Sequence, residues 1–156
     1  MTLIVRPDGP SDARIMLVGE APGADEERIG TPFQGVSGQE LNRMLGEAGI
    51  SRNECFVTNV CRVRPPNNDL SYFIAKSKKD ITHAHREYRG RWCLPPVIDG
   101  IKLLVKEIEM VKPNVIIPVG NISTWVLTGN WGITKWRGSM LHCDTEEIKK
   151  WLGTNG

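Results

Sequence analysis

No two cysteines in this chain stand in a C-x-x-C pair. The four present, Cys55, Cys61, Cys93 and Cys143, are scattered along 156 residues. Free thiols in a reducing compartment are therefore expected. The sequence also lacks any apolar run near the roughly 20 residues needed to cross a bilayer, which speaks against a membrane partner. Met1 to Ser11 holds Arg6, Pro7, Asp8 and Pro10 and no signal-peptide core, so a cytoplasmic protein is expected. Charge of one sign is not in excess either. The formal net charge is +2, so any nucleic-acid surface must come from a local cluster. A chain of this length amounts to one domain, residues 1–156, able to bury a core without disulfides or metals.

Short apolar runs supply the framework. Arg14–Gly19, Cys55–Val60 and Asn114–Gly120 have the form of buried parallel strands. Between the first two, Leu41, Met44, Leu45 and Ala48 mark a helix over Ser37–Glu47. Ser37 and Glu40 form a capping box at its start, and Gly49 closes it. Further helices are predicted from about Pro96 to Val111, over Ile122–Leu127, and near Glu146–Leu152. Pro65 to Pro95 is the least regular stretch and is rich in basic residues: Lys76, Lys78, Lys79, Arg86, Arg89 and Arg91. The alternation of strand and helix predicts an open parallel sheet covered on both faces. Ligands bind such sheets at the carboxyl ends of their strands. The residues after Gly19, Thr58 and Gly120 share that edge.

Three segments at this edge carry chemistry. Gly19-Glu20-Ala21-Pro22-Gly23 must turn sharply, with backbone N–H groups pointing outward beside the Glu20 carboxylate. A solvated acidic loop is the plainer reading. Thr31-Pro32-Phe33-Gln34-Gly35 sets an aromatic ring in a polar loop, either to stack on a base or to tuck beneath the loop. Thr58-Asn59-Val60 ends a strand in an amide, which either bonds its own turn or reads a ligand. An amide can meet the N3–H and O4 of uracil together, whereas cytosine presents the reverse pattern. Arg62 and Arg64, on a stiff segment before Pro65 and Pro66, suit phosphate contacts or a solvated loop.

Taken together, Gly19–Gly23, Pro32–Gly35, Thr58–Val60 and Arg64–Pro66 resemble, in order and spacing, the motifs of the family 4 uracil-DNA glycosylases of bacteria and archaea. Related domains occur with phage DNA polymerases. A weaker match follows at Lys112-Pro113, Gly132–Lys135 and Arg137-Gly138. The resemblance implies a three-layer α/β/α domain with a central four-stranded parallel sheet. It implies hydrolysis of the bond between uracil and deoxyribose in DNA, as in base excision repair, after the nucleotide is flipped out. Carried over by position, Glu20 and Asn59 are catalytic. Gly19, Ala21, Pro22, Gly23, Phe33 and Asn59 bind the base. Ser37, Arg62, Arg64, Lys135 and Arg137 contact DNA. The implied partners are uracil-containing DNA and a DNA polymerase, in a bacterial or phage-infected cell.

Two family features have no counterpart here. The iron–sulfur cluster of many members needs a cysteine pair before the first strand, and none precedes Arg14. No cluster, no other cofactor and no metal is expected. The family's His-Pro motif at the end of a fourth strand is also missing. Of His83, His85 and His142, none precedes a proline, so the chain is expected to stop short of that strand. A non-catalytic DNA-binding module that keeps the fold beside a phage-type polymerase is the competing reading. A nucleotide- or phosphate-binding α/β protein is the third.

Overall fold

A computed structural model of the chain describes residues 3–153. Its centre is a parallel sheet of three strands: β1 (Ile15–Gly19), β2 (Cys55–Asn59) and β5 (Val115–Pro118), in the order β2-β1-β5. These strands lie within one or two residues of the expected runs. Ile15 pairs with Cys55 and with Val115, and Gly19 pairs with Asn59. Both strand-end residues are thus placed side by side at the carboxyl edge.

Residue alternation sends the strands' side chains to two cores. Leu17, Cys55 and Val57 pack with Leu41 and Leu45 of α2 (Val36–Glu47) on one face. Met16, Val18 and Phe56 pack on the other face with α3 (Pro95–Val111), α4 (Asn121–Thr128) and α6 (Thr145–Leu152). This makes the expected three layers. The apolar stripe of α3 runs through Val97, Ile101, Leu104, Val105 and Ile108, at helical spacing. The helix lies so close to β2 that a Cβ at Gly100 would sit 2.0 Å from the Val60 carbonyl oxygen. Lys112, in the left-handed conformation, ends it.

The short α1 (Ala24–Ile29) and α5 (Ile133–Trp136) complete the helices. The start of α2 differs from the expected capping box. Its N-cap is Gly35, Ser37 lies inside the first turn, and Glu40 bonds Arg43 instead. The reason is that Glu26 reaches across to take the Gly35 N–H. Gly49 does close the helix, with φ of 74° and its N–H on the Gly46 carbonyl.

Order in the 65–95 stretch exceeds expectation. β3 (Arg86–Tyr88) and β4 (Arg91–Cys93) form an antiparallel hairpin. Its two-residue loop, Arg89-Gly90, has both residues at positive φ, 47° and 82°, as a type I′ turn requires. Tyr88 is buried edge-on against Trp125, and its hydroxyl donates to the Val126 carbonyl. Arg86 donates to the carbonyl of Leu152 at the end of α6. The hairpin therefore closes one layer rather than forming a free loop.

The two sheet edges are unlike. Asp8 pairs antiparallel with Val57 and covers the outer edge of β2. The outer edge of β5 has no strand beside it among the described residues. In β5, the N–H groups of Val115 and Val119 point to β1, so those of residues 116 and 118 point outward. Residue 118 is a proline and has none. Proline inside a sheet belongs on such an edge.

Candidate active site

The site is built on Gly19. A Cβ there would lie 2.4 Å from the Asn59 side-chain oxygen and 2.5 Å from the Phe33 ring. Glycine is needed because an amide and an aromatic ring converge over the end of β1. Asn59 is buried, 5% exposed, and its side chain is aimed across the strand end rather than into its own turn.

Phe33 is held from both sides. Arg52 donates to the carbonyls of Pro32 and Phe33, each at 2.6 Å. Glu26 accepts from the N–H groups of Gln34 (3.3 Å) and Gly35 (3.1 Å) and, with its other oxygen, from Gly23 (3.1 Å). This grip keeps Phe33 at φ 53°, a conformation that non-glycine residues seldom hold without support. A Cβ at Gly38 would meet the Phe33 carbonyl oxygen at 2.0 Å, so α2 needs a glycine to pass beneath the loop.

Glu20 turns toward α4. Its carboxylate accepts the Ile122 N–H at 2.6 Å and that of Ser123, the unpaired donors of the first helical turn. Gly120, at φ 113°, leaves room for it, since a Cβ there would be 2.7 Å from that carboxylate. Burial raises the Glu20 pKa, the two backbone N–H groups oppose the rise, and the negative charge of Asp69 adds to it.

Gly19, Glu20, Ala21, Glu26, Phe33, Ser37, Asn59 and Val119 line one cavity of about 190 Å³. Pro22 and Gly23 shape the turn beside it. The N–H of Ala21 donates to no acceptor among the described residues. The expected basic contacts are placed less uniformly. Arg64, Lys135 and Arg137 are exposed, with Arg64 bonded to Asn68. Arg62 is not available for phosphate. It is buried, with both terminal nitrogens on the Glu107 carboxylate at 2.6 and 2.5 Å and its Nε on the Asn59 carbonyl. Glu107 also accepts from Thr58, so this ion pair braces the strand end that presents Asn59. The basic stretch divides likewise. Lys76, Lys78 and Lys79 are exposed, as is Arg86, which nonetheless bonds the Leu152 carbonyl, whereas Arg89 and Arg91 are half-buried against Tyr88 and Trp131.

Sequence reasoning missed Glu26, Arg52 and Glu107. For Glu26 a signal existed, an acid three residues into a helix that starts after a glycine. The partners of Arg52 and Glu107 are distant in sequence and gave no local sign. No histidine lines the cavity. His142 faces a separate groove beside β5. The cysteines are divided by the sheet: Cys55 lies in the α2 layer, while Cys61 and Cys93, with Cys143 against them, lie in the opposite one.

The class these elements define is an α/β/α domain with a small polar cavity at the carboxyl edge of its sheet, walled by an aromatic ring and an amide. Comparison with known proteins narrows the class. The sequence model described as "Uracil DNA glycosylase superfamily" matches residues 6–150, and the chain belongs to that superfamily. A type-4 uracil-DNA glycosylase of Archaeoglobus fulgidus is 31% identical over 143 residues, 92% of this chain and 61% of that protein. One from Pyrobaculum aerophilum is 37% identical over 120 residues, 77% of this chain and 50% of that protein. A DNA polymerase of Bacillus phage SP01 is 31% identical over 137 residues, 85% of this chain and 12% of the polymerase. The chain thus spans one half to about three fifths of the length of these glycosylases.

Proposed function

We propose that this domain binds a flipped uracil in DNA and hydrolyses its bond to deoxyribose. The observation that carries the reading is the meeting of the Asn59 amide and the Phe33 ring over Gly19. A ring stacked on Phe33 would present its edge to Asn59, whose acceptor and donors complement uracil N3–H and O4. In the reaction, water adds to C1′, the N1–C1′ bond breaks, and its electron pair leaves with uracil N1. The Ala21 N–H, which has no acceptor among the described residues, would favour that developing anion. Glu20, its pKa raised by burial, would take the water's proton, since the other carboxylate at the cavity, Glu26, is held by three backbone N–H groups. The four cysteines, split between two layers, do not fit a four-thiolate cluster, and the reading needs none. The exposed Arg64, Lys135, Arg137, Lys76, Lys78 and Lys79 would be the DNA contacts.

The test is excision from a uracil-containing oligonucleotide. Asn59→Ala should cut excision by roughly five- to 150-fold, the worth of a buried polar contact at about 1–3 kcal/mol, with DNA affinity largely kept. Equal excision by wild type and Asn59→Ala removes the reading. The absence of histidine from the cavity lining favours a second reading, a module that holds DNA beside a polymerase without cleaving it. Tight binding of a uracil oligonucleotide with no release of free uracil would establish that one instead.

A further inference from the structure

Outside the cavity, the hairpin and α4 meet in a cluster the base site does not use. The Arg91 guanidinium carbon lies 3.3 Å from the centre of the Trp131 ring, a distance reached only by face stacking. The ring of Trp125 meets that of Trp131 edge-on, centroids 5.5 Å apart. Trp131 still exposes 38% of its surface with both neighbours in place. Arg91 makes no hydrogen bond or ion pair with any described residue, in contrast to the buried, paired Arg62. A solvent-accessible indole is thus fixed against a planar cation whose charge is unspent.

The cluster is tied to the base site through the backbone. The Asn121 side-chain oxygen accepts from Gly132 (2.7 Å) and Ile133 (3.2 Å), which anchors the residue after Trp131 to the first turn of α4. The next residue of that turn, Ile122, holds Glu20. Lys135 and Arg137, both exposed, follow directly. The ligand chemistry this suits is an unpaired base next to phosphate. A base stacks on a rigid aromatic face, and a guanidinium can stack and bond phosphate at once. A paired base inside a duplex has no free face to offer.

We propose that Trp131 and Arg91 form a stacking platform for an unpaired base of single-stranded DNA flanking the flipped nucleotide. The proposal rests on DNA being the ligand of the base site, yet it does not depend on excision. The test is the affinity of the 156-residue chain for a labelled, uracil-free oligothymidylate and for a blunt duplex of equal length. The expected result is tighter binding of the single strand. Trp131→Ala should weaken it by about 5- to 150-fold, in line with base–aromatic stacking, and Trp131→Phe should keep most of it. Arg91→Lys keeps the charge but not the plane and should fall with Arg91→Ala. Duplex affinity should change little. Thermal unfolding of each variant reports a purely structural role. If Trp131→Ala does not fold, Trp131→Leu set against Trp131→Phe makes the same comparison. Unchanged single-strand affinity in a folded Trp131 variant overturns the platform, as does an equal loss on duplex. Failure of the wild type to release uracil while this Trp131-dependent binding persists would overturn the excision reading alone.

Discussion

Phe33 and Glu20 show what single residues are asked to do. The unfavourable φ of Phe33 costs of order 1–3 kcal/mol and persists only because its surroundings impose it. Arg52 supplies half of that grip without lining the cavity. Arg52→Ala should therefore lower excision about tenfold or more, the effect of releasing about 1.4 kcal/mol of positioning. Its cost in thermal stability should be modest. Full activity in Arg52→Ala would mean that Phe33 needs no such hold. Glu20 makes a pH prediction. Its pKa is raised in the fold, so the folded state binds the proton more tightly than the unfolded chain. The group then costs nothing below its ordinary value of 4.5, and stability falls as pH rises from there through the folded pKa. Glu20→Gln should remove that decline, seen as a flatter profile of unfolding temperature above pH 4.5. A profile matching the wild type would show that burial does not govern this carboxyl. Gly19, Phe33 and Asn59 were legible in the sequence because turn and strand-end residues announce themselves locally. Arg52 and Glu26 act through backbone atoms of other segments, which no local pattern reveals.

The elements obey the same division. β1, β2 and α3 could be read to within about a residue, since their apolar runs and periodicity are set by the two cores they enter. The β3–β4 hairpin could not. Its strands are three residues long, and Arg89-Gly90 is not one of the dipeptides that mark a type I′ turn. Its order comes from Tyr88 and Arg86, whose partners lie in α4 and α6. Arg62 was misread for a related reason. From sequence it is a loop arginine before prolines, and only the approach of α3 supplies Glu107, 45 residues on. The Arg62, Glu107 and Thr58 side chains join β2 to α3 at the level of Asn59. Glu107→Ala would leave the Arg62 charge buried and unpaired, a loss of about 3–5 kcal/mol. Denaturant unfolding should show that loss. The double change of Arg62 and Glu107 to apolar residues should be milder than Glu107→Ala. A drop under about 1 kcal/mol in Glu107→Ala would mean the pair is solvated.

At the scale of the molecule, the open edge of β5 sets the behaviour of the whole chain. Val115 is 44% exposed and Met140 92%. With Ile108, Ile116, Leu127 and Leu141 they line a groove of about 630 Å³ along that edge. Unpaired edges with apolar flanks invite pairing with another chain. Pro118 limits this, since the outward edge keeps the carbonyls of Ile116 and Pro118 but only the Ile116 N–H. A second copy can therefore add only a short, carbonyl-biased ladder, and its association should be weak and driven chiefly by apolar contact. The expectation is a concentration-dependent rise in mass by sedimentation that increases with salting-out ions, because such ions strengthen apolar burial. Val115→Lys puts a charge on the edge, the device natural sheets use against such pairing. It should return the chain to a monomer at concentrations where the wild type associates. It should leave uracil binding unchanged, since Val115 lies at the opposite end of β5 from Val119 and the base cavity. An association that survives Val115→Lys would place the contact elsewhere on the molecule and clear the β5 edge.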